Sequence, residues 1–281
     1  AAPVLLFFLL QLTGCVTGGT RFVQDENLAH TPDAKEILDD LAANDAAIQQ
    51  FTATGPVNFQ WSGADQQYIF RGQLIFRRPG QMYLMARHRR TGLPGLELTC
   101  DDPQSLLVLP REKEYHYSPT KERVDLFPQA VSPIDMAREL FLPEEWSGIP
   151  LRNARITAYD PETQTAEIDL FAGRIKRRMT RQITVQGVPW VVTKSTLLDP
   201  QGQPIAITTK KDFRESGGIR FPYSVETIFP GQSARLAFEV RSAAFNQPLD
   251  ESKLDLQARL DYIRREGYQP SPEMAPPESQ P

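Results

Sequence analysis

A period of two in the apolar residues, sustained from Gly55 onward, constrains the fold of this chain more than any other feature. Leu236 and Phe238, for example, alternate with charged or small residues, and in a β-strand such alternation places the apolar side chains on one face. Candidate strands follow one another from residues 57–61 to residues 234–241, separated by turn sequences rich in Pro, Gly and Asp. Because helices are not regularly interleaved with them, the pattern predicts a mainly β fold with antiparallel strands.

Three helices are predicted beside the strands. Thr31 can cap the first helix with Pro32 at its first position, and apolar residues then recur at helical spacing. A second helix is predicted over residues 132–141 and a third over residues 254–265. Residues 82–85 are apolar on both faces of their strand, which predicts that this strand lies under a helix.

The beginning of the chain carries a processing signal. Its apolar run is about ten residues long, too short to span a bilayer and typical of a signal-peptide core. The sequence LTGC at residues 12–15 resembles the bacterial lipobox, in which the cysteine receives a diacylglyceryl group. Residues 1–14 are therefore interpreted as a truncated lipoprotein signal peptide and Cys15 as the lipidation site; the alternative is an ordinary secretory signal with an incidental cysteine. Val16, in place of an aspartate, predicts anchoring in the outer membrane, facing the periplasm.

The remaining chain divides into a tether, one domain and a tail. Residues 15–30 are polar and rich in Gly and Thr, as expected of a flexible lipidated tether. Residues 31–266 form the predicted domain, and the Pro-rich residues 267–281 are predicted to be disordered. With Cys15 acylated, Cys100 has no cysteine to pair with and is predicted to be buried. The net charge of −4, without a long charged block, argues against a nucleic-acid partner.

The order of these elements resembles the LolA/LolB lipoprotein-localisation family. The shared features are the leading amphipathic helix, the short Pro-capped helix among the strands, the closing segment that begins FPYSVETIF at residue 221, and GQLIFRRP at residues 72–79. The resemblance covers most of residues 32–254. It implies an incomplete antiparallel β-barrel of about eleven strands, wrapped around helices that act as a lid over a hydrophobic cavity for acyl chains.

The resemblance also implies roles for three residues. Arg78, before Pro79, matches the family arginine that hydrogen-bonds the helical lid shut; the alternative is a solvated arginine at a strand end. Met82 stands where the soluble carriers tend to have a phenylalanine that influences cargo release. Leu93 matches the location of a protruding apolar loop in the membrane-anchored receptor branch; the alternative is a leucine tucked under its turn.

Long apolar residues at inward strand positions form a candidate lipid pocket. They are Leu74, Phe76, Met82, Leu84, Trp190, Val192, Leu236 and Phe238. Met136 and Leu140, on the second predicted helix, are expected to oppose them from the lid. A fully packed core gives the same alternation, so the pattern alone leaves both interpretations open.

Neither a catalytic site nor a metal site is predicted. His30, His88 and His116 are far apart and lack metal-binding spacing. The sequence contains no P-loop, no Rossmann glycine pattern and no G-x-S-x-G motif. The chain is therefore expected to bind its ligand without covalent chemistry and without a cofactor.

These observations predict a membrane-anchored bacterial lipoprotein that is not an enzyme. It is expected to bind lipid or lipoprotein acyl chains in a half-barrel cavity and to act in their transport or reception, with a periplasmic carrier protein as a candidate partner. The alternative is a sensor or scaffold of the cell envelope that uses the same fold to bind a protein without carrying lipid.

Overall fold

The computed structural model of the protein describes residues 32–60, 68–119, 146–173, 177–232 and 234–271. The helices are α1 (Ala34–Ala47), α2 (Glu251–Leu254) and α3 (Leu256–Arg265), and short 3-10 turns occur at Trp146–Gly148, Leu151–Asn153 and Pro230–Gln232. The strands are β1 (Gln50–Gln60), β2 (Tyr68–Arg77), β3 (Gln81–His88), β4 (Pro94–Asp101), β5 (Gln104–Leu109), β6 (Glu114–Ser118), β7 (Ala154–Asp160), β8 (Thr165–Ala172), β9 (Arg178–Gln186), β10 (Val191–Leu198), β11 (Pro204–Ser216), β12 (Ile219–Phe229), β13 (Ala234–Glu239), β14 (Ser242–Phe245) and β15 (Gln269–Pro270).

The strands form one open sheet. Its order is β15-β6-β5-β4-β3-β2-β1-β13-β12-β11-β10-β9-β8-β7, with β14 also beside β1. Neighbouring strands are antiparallel except that β15 runs parallel to β6. In the described part of the chain β7 and β15 are the two free ends of the sheet, so the predicted mainly β, incomplete barrel is confirmed. The strands outnumber the eleven or so that the resemblance implied, in part because β14 and β15 are short additions.

Helix α1 begins later than the sequence suggested. Its N-cap is Asp33, whose carboxylate accepts a hydrogen bond from the backbone N–H of Lys35 at 2.9 Å. Thr31, the expected cap, lies outside the described residues. Aspartate and threonine are both favoured at this position, so composition alone did not distinguish the two starts.

One face of the sheet, called the inner face below, carries α1. The buried side chains of Ile37, Leu38 and Leu41 pack against Trp146 and against apolar residues of β7–β10. These three residues recur at the spacing of one helical face. The helix therefore lies over the half of the sheet that is formed by the later strands.

Aromatic rings fill the other half of the inner face. The ring of Phe51 on β1 lies 5.4 Å from that of Phe76 and 5.1 Å from that of Phe221, measured between centroids. Phe221 in turn lies 5.2 Å from Phe245. Tilted and edge-to-face contacts at these distances are favourable beyond the area they bury, and they hold β1, β2, β12 and β14 together in one apolar cluster.

The opposite face, called the outer face below, is partly covered by the helices near the chain's end. Leu254 of α2 packs on Ile75 and Tyr83, while Leu256 and Leu260 of α3 pack with residues of β5 and β6. Strand β3 is thus buried on both faces, as the double-sided apolar pattern of residues 82–85 predicted.

An ion pair between a buried glutamate and a half-buried arginine fastens α3 to the outer face. Glu97 of β4 is 1% exposed, and Arg259 of α3 donates to it through Nη2, 2.6 Å from Oε2, and through Nε. Burial lowers the pKa of Arg259, but the hydrogen bond and charge of Glu97 raise it by more. Beside them, burial raises the pKa of Tyr83 to about 12, and the charge of Glu97 adds to that rise, so this phenol is neutral at physiological pH.

Candidate functional site

A cleft lies between α1 and the inner face of β10–β13. Its lining is mainly apolar and includes Leu41, Val192, Phe213, Phe221, Val225 and Phe238. Asn44, Asp45, Lys210 and Arg220 bring polar groups to the same cleft. The cleft holds about 70 Å³ of empty space, well below the roughly 300–1,000 Å³ that is usual for ligand pockets. With α1 in this position, the apolar walls are present but most of the space between them is filled.

Side-chain hydrogen bonds hold α1 to β12 and to the turn that precedes β10. The Asn44 amide donates to the Arg220 carbonyl at 3.1 Å and accepts from the Arg220 N–H at 2.8 Å. Asp40, one turn earlier, accepts from the Trp190 N–H at 3.1 Å. Asp40 and Asn44 are four residues apart and so share a helix face; in the sequence they were indistinguishable from solvated polar residues and were not predicted.

Arg78 holds the C-terminal end of α1. Its Nε donates to the Ile48 carbonyl and its Nη2 donates to the Asp45 carbonyl, both at 2.9 Å, while its backbone N–H donates to the Gln49 carbonyl. The last carbonyls of a helix lack intrahelical partners and carry partial negative charge. A planar guanidinium that spans two of them therefore forms charge-assisted hydrogen bonds at this helix end.

Trp190 contributes a polar group as well as an apolar wall. The residue lines the cleft and is 2% exposed, and its indole N–H has no hydrogen-bond partner among the described residues. A buried donor without an acceptor is costly. An oxygen atom of a bound ligand is one group that would satisfy it.

Comparison with known proteins bears on the fold. No known family model matches the sequence, and no curated protein is significantly similar to it. A solved DUF1329 family protein from Desulfovibrio piger shares the fold with a TM-score of 0.57 at 11% identity, over 81% of this chain and 99% of that one. A putative outer membrane lipoprotein-sorting protein domain from Vibrio parahaemolyticus gives 0.54 at 11% identity, over 82% and 97%. A LolA superfamily protein from Nitrosomonas europaea gives 0.54 at 9% identity, over 80% and 99%. The chain has a LolA/LolB-like fold.

Within this LolA/LolB-like fold, three of the predicted pocket residues line the cleft: Trp190, Val192 and Phe238. The other described candidates lie in the inner-face cluster and do not line it: Leu74, Phe76, Met82, Leu84 and Leu236. The physical reason is that α1 packs over the later strands, while phenylalanine rings fill the face of β1 and β2. Met136 and Leu140, like Cys15, lie outside the described residues.

Leu93 projects from the turn between β3 and β4. Its side chain is 66% exposed, so in the structure it is not tucked under the turn. Gly92 precedes it with a φ of +70°, a conformation that glycine adopts without strain. The turn therefore presents an apolar side chain to solvent at the ends of two interior strands of the LolA/LolB-like sheet.

Three further features of the described chain concern metal ligands, the second cysteine and membrane-spanning helices. No group of three or more His, Cys, Asp or Glu residues in the described ranges is arranged to hold a metal ion. Cys100 is a buried thiol. Of the helices that the structure describes, none is long and apolar enough to cross a membrane.

Proposed function

We propose that this protein binds the acyl chains of lipids or lipoproteins between α1 and the inner face of its sheet, and acts in their transport or reception in the cell envelope. The observation that carries the proposal is the apolar cleft beneath a helix that polar contacts hold in place at identifiable points. The lipoprotein-sorting domain among the similar structures supports an envelope role of this general kind.

Lipid binding requires α1 to move away from the sheet. The present cleft is too small for an acyl chain, and hydrogen bonds from Asn44, Asp40 and Arg78 fasten the helix. Each such bond contributes only about 0.5–3 kcal/mol net, whereas each buried methylene of a ligand contributes about 0.8 kcal/mol. A long acyl chain can therefore offset the loss of these fastenings, and the closed and open forms then interconvert with the ligand.

The cleft presents polar groups that suit the proposed non-covalent binding of a lipid. Its polar groups include Arg220, which donates to the Trp190 carbonyl at 3.1 Å, and the indole N–H of Trp190. These groups are suited to contact the polar end of a lipid, and the proposed function needs neither a cofactor nor a metal.

A non-carrying sensor or scaffold is the second candidate function. The observation that favours it is the small volume of the cleft, about 70 Å³, which is what a permanently packed core would also show. In that case α1 stays on the sheet, and the protein recognises a protein partner through its surface.

Displacement of a fluorescent fatty acid tests the proposal directly. In the full chain with Cys15 changed to Ala, we expect the probe to bind, and we expect Val192→Glu to weaken binding by at least about tenfold because its carboxylate would be desolvated against hydrocarbon. Ile228→Glu adds the same charge at an exposed position and is expected to leave affinity unchanged. Phe213→Gln, at a half-buried position of the cleft, serves if Val192→Glu fails to fold by thermal melting.

The outcome separates the two candidate functions. If neither fatty acid nor lipopeptide binds the unsubstituted cleft, or if every cleft substitution only unfolds the protein, the carrier proposal is wrong and the sensor or scaffold takes its place.

We also propose that Cys15 carries the membrane anchor, on the strength of the lipobox-like sequence at residues 12–15. One acyl chain gives only marginal membrane binding, so stable anchoring depends on the several chains that lipoprotein processing attaches. Expressed in a bacterium behind a functional lipoprotein signal peptide, Cys15→Ala is expected to shift the protein from the membrane fraction to the periplasm or to leave it unprocessed. Membrane fractionation and a mature mass like those of the wild type would contradict the anchor.

A further inference from the structure

The outer face carries a groove lined by three arginines. Arg71 of β2, Arg89 after β3 and Arg241 between β13 and β14 line an open groove of about 500 Å³, together with Thr54 and Asn58 of β1. All three arginines are exposed. The groove lies beyond the part of the outer face that α2 and α3 cover, since those helices pack at Ile75, Tyr83 and farther strands.

The segment between β13 and β14 passes close to β1 and brings Arg241 to this groove. It approaches β1 at Gly55, where a Cβ would lie 1.8 Å from the Glu239 carbonyl oxygen. Because Gly55 has no side chain, the close approach is possible, and the Arg241 N–H donates to the Thr54 carbonyl at 2.7 Å. Arg71 sits opposite Pro56, two residues along β1. The backbone geometry thus places Arg71 and Arg241, which are far apart in the sequence, at one groove.

The charges in the groove are not compensated by the residues that the structure describes. The guanidinium groups of Arg71, Arg89 and Arg241 make no hydrogen bond or ion pair with any of the described residues. Arg71 also lies directly opposite Arg87 across β2 and β3, and like charges at such positions repel each other. Arg87 itself donates to the Gly92 carbonyl at 3.4 Å and to no other group among the described residues. An anion bound in the groove would remove this repulsion.

Two arginines elsewhere on β2 and β13 have carboxylate partners, unlike the arginines of the groove. Arg77 of β2 pairs with Glu251, and Arg235 of β13 pairs with Glu226 at 2.5 Å. The chain as a whole carries a net charge of −4. Attraction of an anion to this face therefore comes from the local arrangement of arginines and not from an overall positive charge.

An apolar tip stands beside the arginines. The turn that follows Arg89 and Arg90 ends in Leu93, which is 66% exposed. Arginines can bind phosphate oxygens in bidentate fashion, and an exposed leucine can contact hydrocarbon. Together they suit a bilayer surface, where phosphate groups lie directly above the hydrocarbon region. A nucleic acid or a free phosphate ion offers the first layer without the second.

We propose that this face, defined by Arg71, Arg87, Arg89, Arg241 and Leu93, docks on the phosphate headgroups of an anionic membrane surface. The interaction is independent of the acyl-binding cleft, which lies on the inner face, and of the anchor at Cys15. It orients the domain on the bilayer to which the chain is tethered. Each arginine near an anionic surface is expected to strengthen binding about fivefold.

Vesicle flotation with matched charge variants tests this proposal. The protein is the full chain with Cys15→Ala, and the vesicles contain phosphatidylcholine with or without phosphatidylglycerol. We expect binding to the anionic vesicles only, and at least about tenfold weaker binding when Arg71, Arg89 and Arg241 are all changed to Gln. The control changes Arg111, Arg152 and Arg265 to Gln, which removes the same charge from exposed sites elsewhere, and is expected to bind as the parent does.

Three outcomes overturn the proposal. Equal losses in the two triple variants would mean that net charge alone acts. If inorganic phosphate at the same concentration as the lipid phosphate displaces the protein from the vesicles, the groove is a site for the soluble ion. If a single-stranded oligonucleotide binds as tightly as the vesicles do, the groove is a general polyanion surface.

Leu93→Ser, which keeps all charges, is expected to weaken binding to the vesicles several-fold. Fatty-acid displacement should be unchanged in the arginine variant, so failure here and failure of the cleft proposal are distinguishable.

Discussion

Replacing Arg259 with methionine is expected to lower the free energy of unfolding by about 3–5 kcal/mol. The substitution keeps most of the side-chain volume but leaves the Glu97 carboxylate, which is 1% exposed, without its cation. An unpaired buried carboxylate has lost its hydration without forming a compensating ion pair, which destabilises the folded state. Urea unfolding followed by far-UV circular dichroism measures the change.

Two further variants test whether the loss of stability comes from the ion pair. Arg265→Met lies on the same helix at an exposed position and is expected to change stability by no more than about 0.5 kcal/mol. Changing both Glu97 and Arg259 to Met is expected to restore most of the loss, because a well-packed apolar pair often replaces a buried ion pair without cost. A loss in Arg259→Met no larger than in Arg265→Met would show that the ion pair does not fasten α3.

The sequence predicted the structure best where burial repeats with the period of the secondary structure. Apolar residues at every second position predicted the strands, and the double-sided apolar pattern of residues 82–85 predicted a covering helix, because each residue of a strand shows which face is buried. The same logic placed Trp190, Val192 and Phe238 on the inner face, and all three line the cleft.

The position of α1 was beyond such reasoning. An inward leucine reads the same whether it faces a helix, an aromatic ring or empty space, so Leu74 and Leu84 were predicted for the pocket but lie in the aromatic half of the core. Asn44 joins α1 to Arg220 across 176 residues of sequence. A contact of that separation leaves no periodic trace in one sequence. Arg78 was found only because a resemblance to a family pointed to it.

Removing the Arg78 side chain is expected to strengthen acyl-chain binding while it weakens the fold. Arg78→Ala deletes the hydrogen bonds to the Ile48 and Asp45 carbonyls, each worth about 1.5–3 kcal/mol when the donor is charged, less where water has access. The closed form loses this stabilisation and the open form does not. If only the open form admits ligand, its apparent dissociation constant falls by the same factor as the open population rises, about tenfold for 1.4 kcal/mol.

The neighbouring arginine is the matched control for this prediction. Arg77 precedes Arg78, but its side chain contacts Gln81 and Glu251 instead of α1. Arg77→Ala is expected to lower stability without changing the affinity for the fluorescent fatty acid. Hydrogen exchange supplies a second readout: amides of α1 should exchange faster in Arg78→Ala than in Arg77→Ala, and most strongly near Asp45.

The sign of the affinity change separates a latch from a merely structural contact. A residue that only stabilises the fold lowers the concentration of competent protein when it is removed, so binding weakens or stays the same. A latch competes with the ligand, so its removal tightens binding even as the melting temperature falls. Opposite movements of affinity and stability in Arg78→Ala would therefore support α1 as a lid. If the variant melts earlier but α1 exchanges as in the parent and the probe binds no tighter, Arg78 is part of the fold alone, and the helix that covers the cleft does not open by releasing this contact.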